Sequence, residues 1–296
     1  ATQLLIPPML GFPIMRYSTR NLLIALGKAV SAIALAGSVH AQDIAVTHCD
    51  GSCPQYQSSL AATRANVVIH HVYAAGINGD TGLADWVSYR LTDEAIGVAS
   101  LLPRVWQPDR LMEYSGIDDV LEISSSGLRL AEIAVSNNPY AGIGELPEEN
   151  DESARLAPIT SFANTPYWSD LNNVTNMVPM PKSLRLGPWL HLEQSLNGLV
   201  AKTKELQVIS GPLFLIGNLS TTPTATAIEP AAYYKIVADE NELVTFVFPK
   251  ELGQFDSFCG QTTDLEQLQE MVSINFFPDR KMVHSEQLLS NLNCSK

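Results

Sequence analysis

Residues 152–162 read ESARLAPITSF, and this stretch decides the fold assignment. Its second half, Leu156 to Phe162, consists mainly of apolar and small residues of the kind that pack inside a protein. Its first half ends in Arg155, whose guanidinium stays protonated at any accessible pH and cannot take a proton from water. The stretch therefore joins a packing segment to an arginine that cannot act as a general base.

The sequence around this stretch contains more strand patterns than helix patterns. Runs of β-branched and aromatic residues predict strands at 66–76, 84–91, 206–217, 233–239 and 242–249. Helices are predicted at 187–204, with Pro188 near the start, and at 262–272, opening with a threonine cap. The polar run 110–152 is predicted to be a long surface excursion. Because regular helices do not separate the strands, the pattern favours an α+β domain with a mainly antiparallel sheet.

The first forty residues have a different character. A short basic start, an apolar run and a small-x-small pattern before Gln42 predict a secretory signal over residues 15–41, with residues 1–14 translated upstream of it. A membrane anchor is the alternative, but Lys28 divides the apolar run into pieces too short to cross a bilayer. The fold is accordingly predicted for one domain, residues 42–296.

Charge narrows the range of partners. The whole chain has 18 Lys+Arg against 31 Asp+Glu, a net charge of −13. Arg16, Arg20 and Lys28 are the charged residues before position 42, so residues 42–296 carry a net charge of −16. Long phosphate backbones are repelled by such a protein, and binding of nucleic acid would need a local basic site. The alternative is that the acidity simply keeps an exported protein soluble.

Export would place the four cysteines in an oxidising compartment, where an even set is available for disulfides. Three pairings are formally possible. Cys49 and Cys53, with Gly51 between them, most simply close on each other, which leaves Cys259 to pair with Cys294. Metal binding by the close pair is the alternative, although no second His or Cys pair stands at zinc-finger spacing.

A series of short fragments extends the pattern along the chain. In order they are HCDGSCP (48–54), ADWVSYRL (84–91), PRVW (103–106), PYAG (139–142), LAPITSF (156–162), NNVTNMVP (172–179), GPWLHLE (187–193), VISGPLF (208–214) and AYYKIV (232–237). Together with the two late cysteines they resemble the DNA/RNA non-specific endonucleases, the ββα-metal or His-Me finger nucleases related to endonuclease G. The resemblance runs from about His48 to Cys294. It implies that family's fold, an α+β structure with a mainly antiparallel central sheet flanked by helices.

The resemblance also implies a particular active site. Members of the family carry D-R-G-H ahead of the L/Q-A-P frame, and the histidine is the general base that activates water. An asparagine holds Mg²⁺, a glutamate orients the hydrated metal, and arginines stabilise the charged phosphorane. Here the general-base position is Arg155, and the position of the metal-binding asparagine is Arg185, a fixed positive charge that repels a cation. Asn197 stands where the family has a further arginine that contacts substrate.

Other family positions are retained in this chain. Arg104 matches an arginine that contacts phosphate, Glu193 matches the glutamate that acts on the metal through water, and Asn176 matches an asparagine beside the metal site. Glu193 is interpreted either as a remnant of the active site or as an ion-pair acceptor for Arg185.

No histidine stands out as a replacement for the lost base. His191 is predicted to be an exposed helix residue that faces away from Glu193. His70 and His71 are predicted to lie in a strand with their side chains on opposite faces. Asp170 flanks the site and is a candidate for recruiting a cation in a new geometry.

Two functional hypotheses follow. The first is an exported, Mg²⁺-dependent endonuclease acting on DNA or RNA, with weak or lost activity. The second is a non-catalytic relative in which Arg104, Arg155 and Arg185 bind a phosphate or nucleotide, or in which nearby acids neutralise them and the site is purely structural. Neither hypothesis involves a membrane after signal cleavage, and the sequence leaves a homodimer open.

Overall fold

A computed structural model describes seven parts of the chain, all within the unit Ile44–Lys296: residues 47–58, 65–78, 84–115, 121–124, 127–130, 153–214 and 230–294. The predicted signal peptide (15–41), the upstream segment (1–14) and most of the polar run 110–152 lie outside these residues. Within the described part of the polar run, a short helix and a two-stranded hairpin are formed.

A large sheet forms the centre of the fold, with the strand order β12-β11-β10-β9-β4-β3-β2. Its strands are β2 (Ala65–Ile69), β3 (Ala74–Asn78), β4 (Ala84–Thr92), β9 (Glu205–Leu213), β10 (Ala232–Asp239), β11 (Glu242–Pro249) and β12 (Thr262–Thr263). All neighbours in this order pair antiparallel, and β14 (Val283–His284) adds a parallel pair to β11. The predicted α+β class with a mainly antiparallel sheet is confirmed.

Three smaller sheets accompany it. They are β1 (Gln55–Tyr56) with β13 (Ile274–Asn275), β5 (Leu121–Ser124) with β6 (Gly127–Leu130), and β7 (Ser153–Arg155) with β8 (Met177–Pro179). The β7–β8 ribbon contains the end of the stretch ESAR. Its short strands place Arg155 opposite Met177.

The helices are α1 (Arg110–Ser115), α2 (Lys182–Leu184), α3 (Leu190–Thr203), α4 (Leu265–Val272) and α5 (Glu286–Asn291). Helix α3 buries Leu192, Leu196 and Leu199 against one face of the sheet. A kink at Gly187 (φ −106°, ψ −121°) separates α2 from α3. The residue before a proline disfavours helical geometry, and a Cβ at Gly187 would lie 2.6 Å from the backbone oxygen of Gln254.

The sheet separates two hydrophobic cores because successive side chains of a strand point to opposite faces. On β10, Tyr233 and Val237 belong to the core under α3, whereas Tyr234 and Ile236 belong to the core under α4. A strand buried on both faces reads as a continuous apolar run. The 233–239 and 242–249 predictions therefore coincide closely with β10 and β11.

Two local predictions are wrong. The run 66–76 is not one strand, because the chain reverses between β2 and β3 and places His70 and His71 in the turn rather than on strand faces. The backbone N–H of His70 donates to Tyr73 O at 2.8 Å and closes this turn. The threonine cap is also wrong, since Thr262 and Thr263 pair with β11 and α4 begins after Asp264.

Two disulfides are formed, one near the N-terminal end of the described residues and one that includes Cys294 near their C-terminal end. Cys49 is bonded to Cys53 and Cys259 to Cys294, the pairing that the sequence favours. The second bond joins segments 35 residues apart and attaches the C-terminal segment to the rest of the fold. In the chain-entropy description, a cross-link over that distance limits the unfolded state and contributes about 3 kcal/mol or more.

A buried carboxylate joins the N-terminal segment to the sheet. Tyr56 Oη donates to Asp85 Oδ2 at 2.8 Å, and Tyr234 Oη donates to the backbone oxygen of Asp85 at 3.0 Å. Burial raises the pKa of Asp85 to about 6, although the hydrogen bond from Tyr56 opposes the rise. Because the folded pKa exceeds the unfolded one, stability from the protonated form is present below about pH 4 and is lost as the pH rises through about 6.

We expect Asp85→Asn to remove this loss, since an amide keeps an acceptor for Tyr56 and carries no charge. Relative to the wild type, the variant should gain up to about 3 kcal/mol of unfolding free energy between pH 4 and pH 7.5. Urea unfolding at the two pH values measures the difference. Asp279→Asn, at an exposed position, is the control and should show no such gain; equal behaviour of the two variants would contradict the assignment.

Candidate functional site

Asn176 holds the β7–β8 ribbon and the segment that follows it. Its side chain is fully buried, and its Oδ1 accepts from the Ala157 N–H at 2.8 Å. Its Nδ2 donates to Ala157 O at 2.9 Å and to Leu171 O at 3.0 Å. The Leu156 N–H donates to the backbone oxygen of Asn176 at 2.9 Å. Asn176, predicted to lie beside a metal site, therefore uses its amide to fix the backbone after Arg155.

Two oxygen atoms and an aromatic ring contact the guanidinium of Arg155. Its Nε donates to Leu171 O at 3.2 Å and one Nη donates to Asn172 Oδ1 at 2.7 Å. The guanidinium carbon lies 4.2 Å from the centroid of the Trp106 ring, which is a cation–π contact. The position that the sequence predicts for the family's general base is therefore occupied by a positively charged group with no proton-accepting atom.

The remaining arginines stand at different places around this group. Arg104 is exposed and lies two residues before Trp106, and Asn172 Nδ2 donates to the neighbouring Pro103 O at 3.1 Å. Arg104 and Arg155 thus belong to one neighbourhood. Arg185 begins the kinked turn between α2 and α3, and its N–H donates to Pro181 O at 2.9 Å.

Glu193 lies in the core of the protein. Lys235 Nζ, on β10, donates to Glu193 Oε1 at 2.8 Å, and the two side chains are 0% and 8% exposed. The same ammonium lies 3.9 Å from the centroid of the Trp189 ring. Burial raises the pKa of Glu193 against the opposing pull of Lys235, and burial lowers the pKa of Lys235. Glu193 is thus an ion-pair acceptor, and Lys235 is the partner that the structure shows for it.

Asn197 and His191 complete the predicted positions on α3. Asn197 Oδ1 accepts from Ser161 Oγ at 2.8 Å, which links the helix to the segment after Pro158. His191 is exposed and Glu193 is buried, so the two face different directions. A side chain that packs α3 against its neighbour thus stands where the family has an arginine.

The residues at these positions do not fit Mg²⁺. The ion prefers oxygen ligands, but the ligand position is Arg185, and the nearby carboxylate of Glu193 is paired with Lys235. Across the described residues, no group of three or more His, Cys, Asp or Glu side chains is arranged to hold a metal ion. No catalytic step is therefore assigned to a metal at this site.

Lys235 and Trp106 are important residues that sequence reasoning missed. A signal for Lys235 was present, because a lone charged residue inside the apolar run AYYKIV predicts a buried charge that needs a partner. Its partner could not be named, since Glu193 is 42 residues away. No comparable feature of the sequence indicated that Trp106 contacts Arg155.

Comparison with known proteins gives consistent results. Residues 156–281 match the sequence model of the DNA/RNA non-specific endonucleases, and the match begins immediately after Arg155. A nuclease of Serratia marcescens is 22% identical over 265 residues, covering 83% of this chain and 86% of that protein. A chain from the crystal structure of the EndoG/EndoGI complex superposes with a TM-score of 0.53 at 16% identity, covering 74% of this chain and 89% of that chain.

We expect Lys235→Met to destabilise the fold strongly, because it leaves the Glu193 carboxylate buried without its cation. Removing one partner of a buried ion pair costs about 3–5 kcal/mol. The double variant Lys235→Met/Glu193→Gln should recover part of that loss. Denaturant unfolding measures both.

The exposed pair Lys204–Asp93, 3.2 Å apart, provides the matched control. Lys204→Met should change the unfolding free energy by less than about 1 kcal/mol. A cost for Lys235→Met as small as that of Lys204→Met would show that the buried pair does not stabilise the fold.

Proposed function

We propose that the chain, which belongs to the DNA/RNA non-specific endonuclease family, is a member that does not hydrolyse phosphodiesters by the family mechanism. One observation supports the proposal: Arg155, which the sequence aligns with the family's general base, is a guanidinium that donates to Leu171 O and Asn172 Oδ1. Loss of a general base costs about 10²–10⁴-fold in rate. The positive charge of Arg185 at the metal-ligand position adds to that loss.

We also propose that the protein is exported, as the sequence predicts from residues 15–41. Both disulfides support this proposal, because they fit an oxidising environment. In the described residues no helix has the length and apolarity needed to cross a membrane.

Incubation of the purified protein with plasmid DNA and with RNA tests the main proposal. With Mg²⁺, Mn²⁺ or chelator, we expect the same background cleavage from the wild type and from Arg155→Gln. Arg155→His should remain without metal-dependent cleavage, because Arg185 still occupies the ligand position. Glu193 is unsuitable as a control, since its replacement would leave Lys235 unpaired. Chelator-sensitive cleavage by the wild type that Arg155→Gln abolishes would refute the proposal.

A second candidate function is phosphate binding by Arg104 and Arg155. The contacts of Arg155 favour this candidate. Its Nε and one Nη donate to a carbonyl and an amide oxygen, and these two neutral acceptors do not cancel the positive charge of the guanidinium. The position of Arg104, exposed beside Trp106, adds a second cation to that neighbourhood.

Thermal unfolding in increasing phosphate at constant ionic strength tests this candidate. We expect a rise in Tm that is reduced in Arg155→Gln, because the guanidinium would bind the anion only in the folded state. Arg280→Gln, which removes a cation paired with Asp50 elsewhere, is the control for charge alone. An equal rise in all three proteins would mean that Arg155 does not bind the phosphate.

A further inference from the structure

An open cleft of ≈790 Å³ lies between the turn that joins β2 to β3 and the segment around α1. Among its described lining residues are Ile69, His71, Arg110, Leu111 and Asp170, and the three arginines of the family site are not among them. Clefts that bind small ligands typically have volumes of about 300–1,000 Å³. The cleft is thus large enough for a small molecule and is distinct from the site around Arg155.

One wall of the cleft is rigid. His70 Nε2 and Asp109 Oδ2 are 2.8 Å apart, and their side chains are 7% and 1% exposed. Asp109 Oδ1 also accepts from the Leu111 N–H at 3.0 Å. Burial opposes ionisation, but the contact with His70 and the hydrogen bond from Thr175 lower the pKa of Asp109 below its usual range. This buried pair supports the wall and leaves His70 with little surface for a ligand.

His71 is arranged differently, although it also pairs with a carboxylate. Its Nδ1 lies 2.9 Å from Asp170 Oδ2, and its backbone N–H donates to the same oxygen at 3.3 Å. An ionised carboxylate only accepts hydrogen bonds, so Nδ1 carries the proton. The ring is stacked on Tyr167 with centroids 4.0 Å apart and planes 4° apart, and the side chain is 62% exposed. Nε2 is therefore the ring atom left for a ligand, on an imidazole whose orientation is already fixed.

Arg110 supplies a cation to the same cleft. It is exposed at the start of α1, and none of the ion pairs formed between described side chains includes it. The two carboxylates that line the cleft, Asp109 and Asp170, are each engaged by a histidine. The charge of Arg110 is thus available to an anion, and guanidinium groups match phosphate geometry well.

We propose that this cleft is a binding site for a small phosphate monoester, whose phosphoryl group contacts Arg110 and His71 Nε2. Ile69, 48% exposed, and Leu111 provide apolar surface for the organic part of the ligand. The net charge of −13 opposes long polyanions but acts weakly on a small ligand. Arg110 donates to the phosphate oxygens, and His71 Nε2, the ring nitrogen without a proton, accepts from the P–OH group of the ligand's monoanion. Nothing in this site requires the arginines of the family site, and it does not depend on whether the protein cleaves nucleic acid.

Histidine-resolved NMR with phenyl phosphate and inorganic phosphate tests the proposal. The imidazole signals of His71 should shift saturably with both ligands, and phenyl phosphate should bind more tightly because its ring covers Ile69. His284, an exposed histidine 3.6 Å from Glu286 and outside the cleft, is the internal control and should not shift.

Variants locate the bound phosphoryl group. Arg110→Gln should weaken phenyl phosphate binding by about tenfold or more, since a charged hydrogen bond is lost. Arg104→Gln should leave the affinity within about twofold. No saturable shift of His71 below ~10 mM ligand, or a loss of affinity in Arg104→Gln as large as or larger than that in Arg110→Gln, would overturn the proposal. A loss confined to Arg104→Gln would assign the phosphate to the site around Arg155.

Discussion

The ion pair between Lys235 and Glu193 is the constraint on which the rest of the structure depends. An ammonium with no exposed surface is tolerated only when a carboxylate meets it, and here the carboxylate belongs to α3 and the ammonium to the central strand β10. The pair therefore determines which face of α3 packs on the sheet. Trp189 lies beside the ammonium and is packed against Tyr233 and Phe248 on the same face. The large core under α3 is built around this contact.

This ion pair gives Glu193 a structural role that is separate from the role of the matching glutamate in the family's active site. Glu193 holds the sheet and the helix together, and this structural role does not depend on a metal. Asn176 is comparable, since its three side-chain hydrogen bonds fix the backbone at Ala157 and Leu171. Glu193 and Asn176 thus each have a structural role in this fold.

One short turn, Trp168–Asn172, connects the two sites. At the end of the turn, Leu171 O and Asn172 Oδ1 accept the hydrogen bonds of Arg155. Earlier in the same turn, the Asp170 side chain orients His71. Tyr167, immediately before the turn, stacks on the same imidazole. Successive residues of a tight turn point in different directions, so a single rigid segment can place an arginine at the family site and a histidine in the neighbouring cleft.

The sequence by itself determined the fold class, the family, most of the strands and the favoured disulfide pairing. These features follow from local composition and from fragments in a recognisable order, and β4, β10 and β11 lie close to where their apolar runs predict them. The reversal at His70–Val72 was missed because the run has no glycine or proline before Gly76, its last residue. Thr262 and Thr263 read as a helix cap, yet pairing with β11 makes them a strand. Only the tertiary structure decided the partners of Lys235, Arg155 and His71, because they lie 42, 16 to 17 and 99 residues away, and contacts over such distances depend on how the sheet and its helices pack.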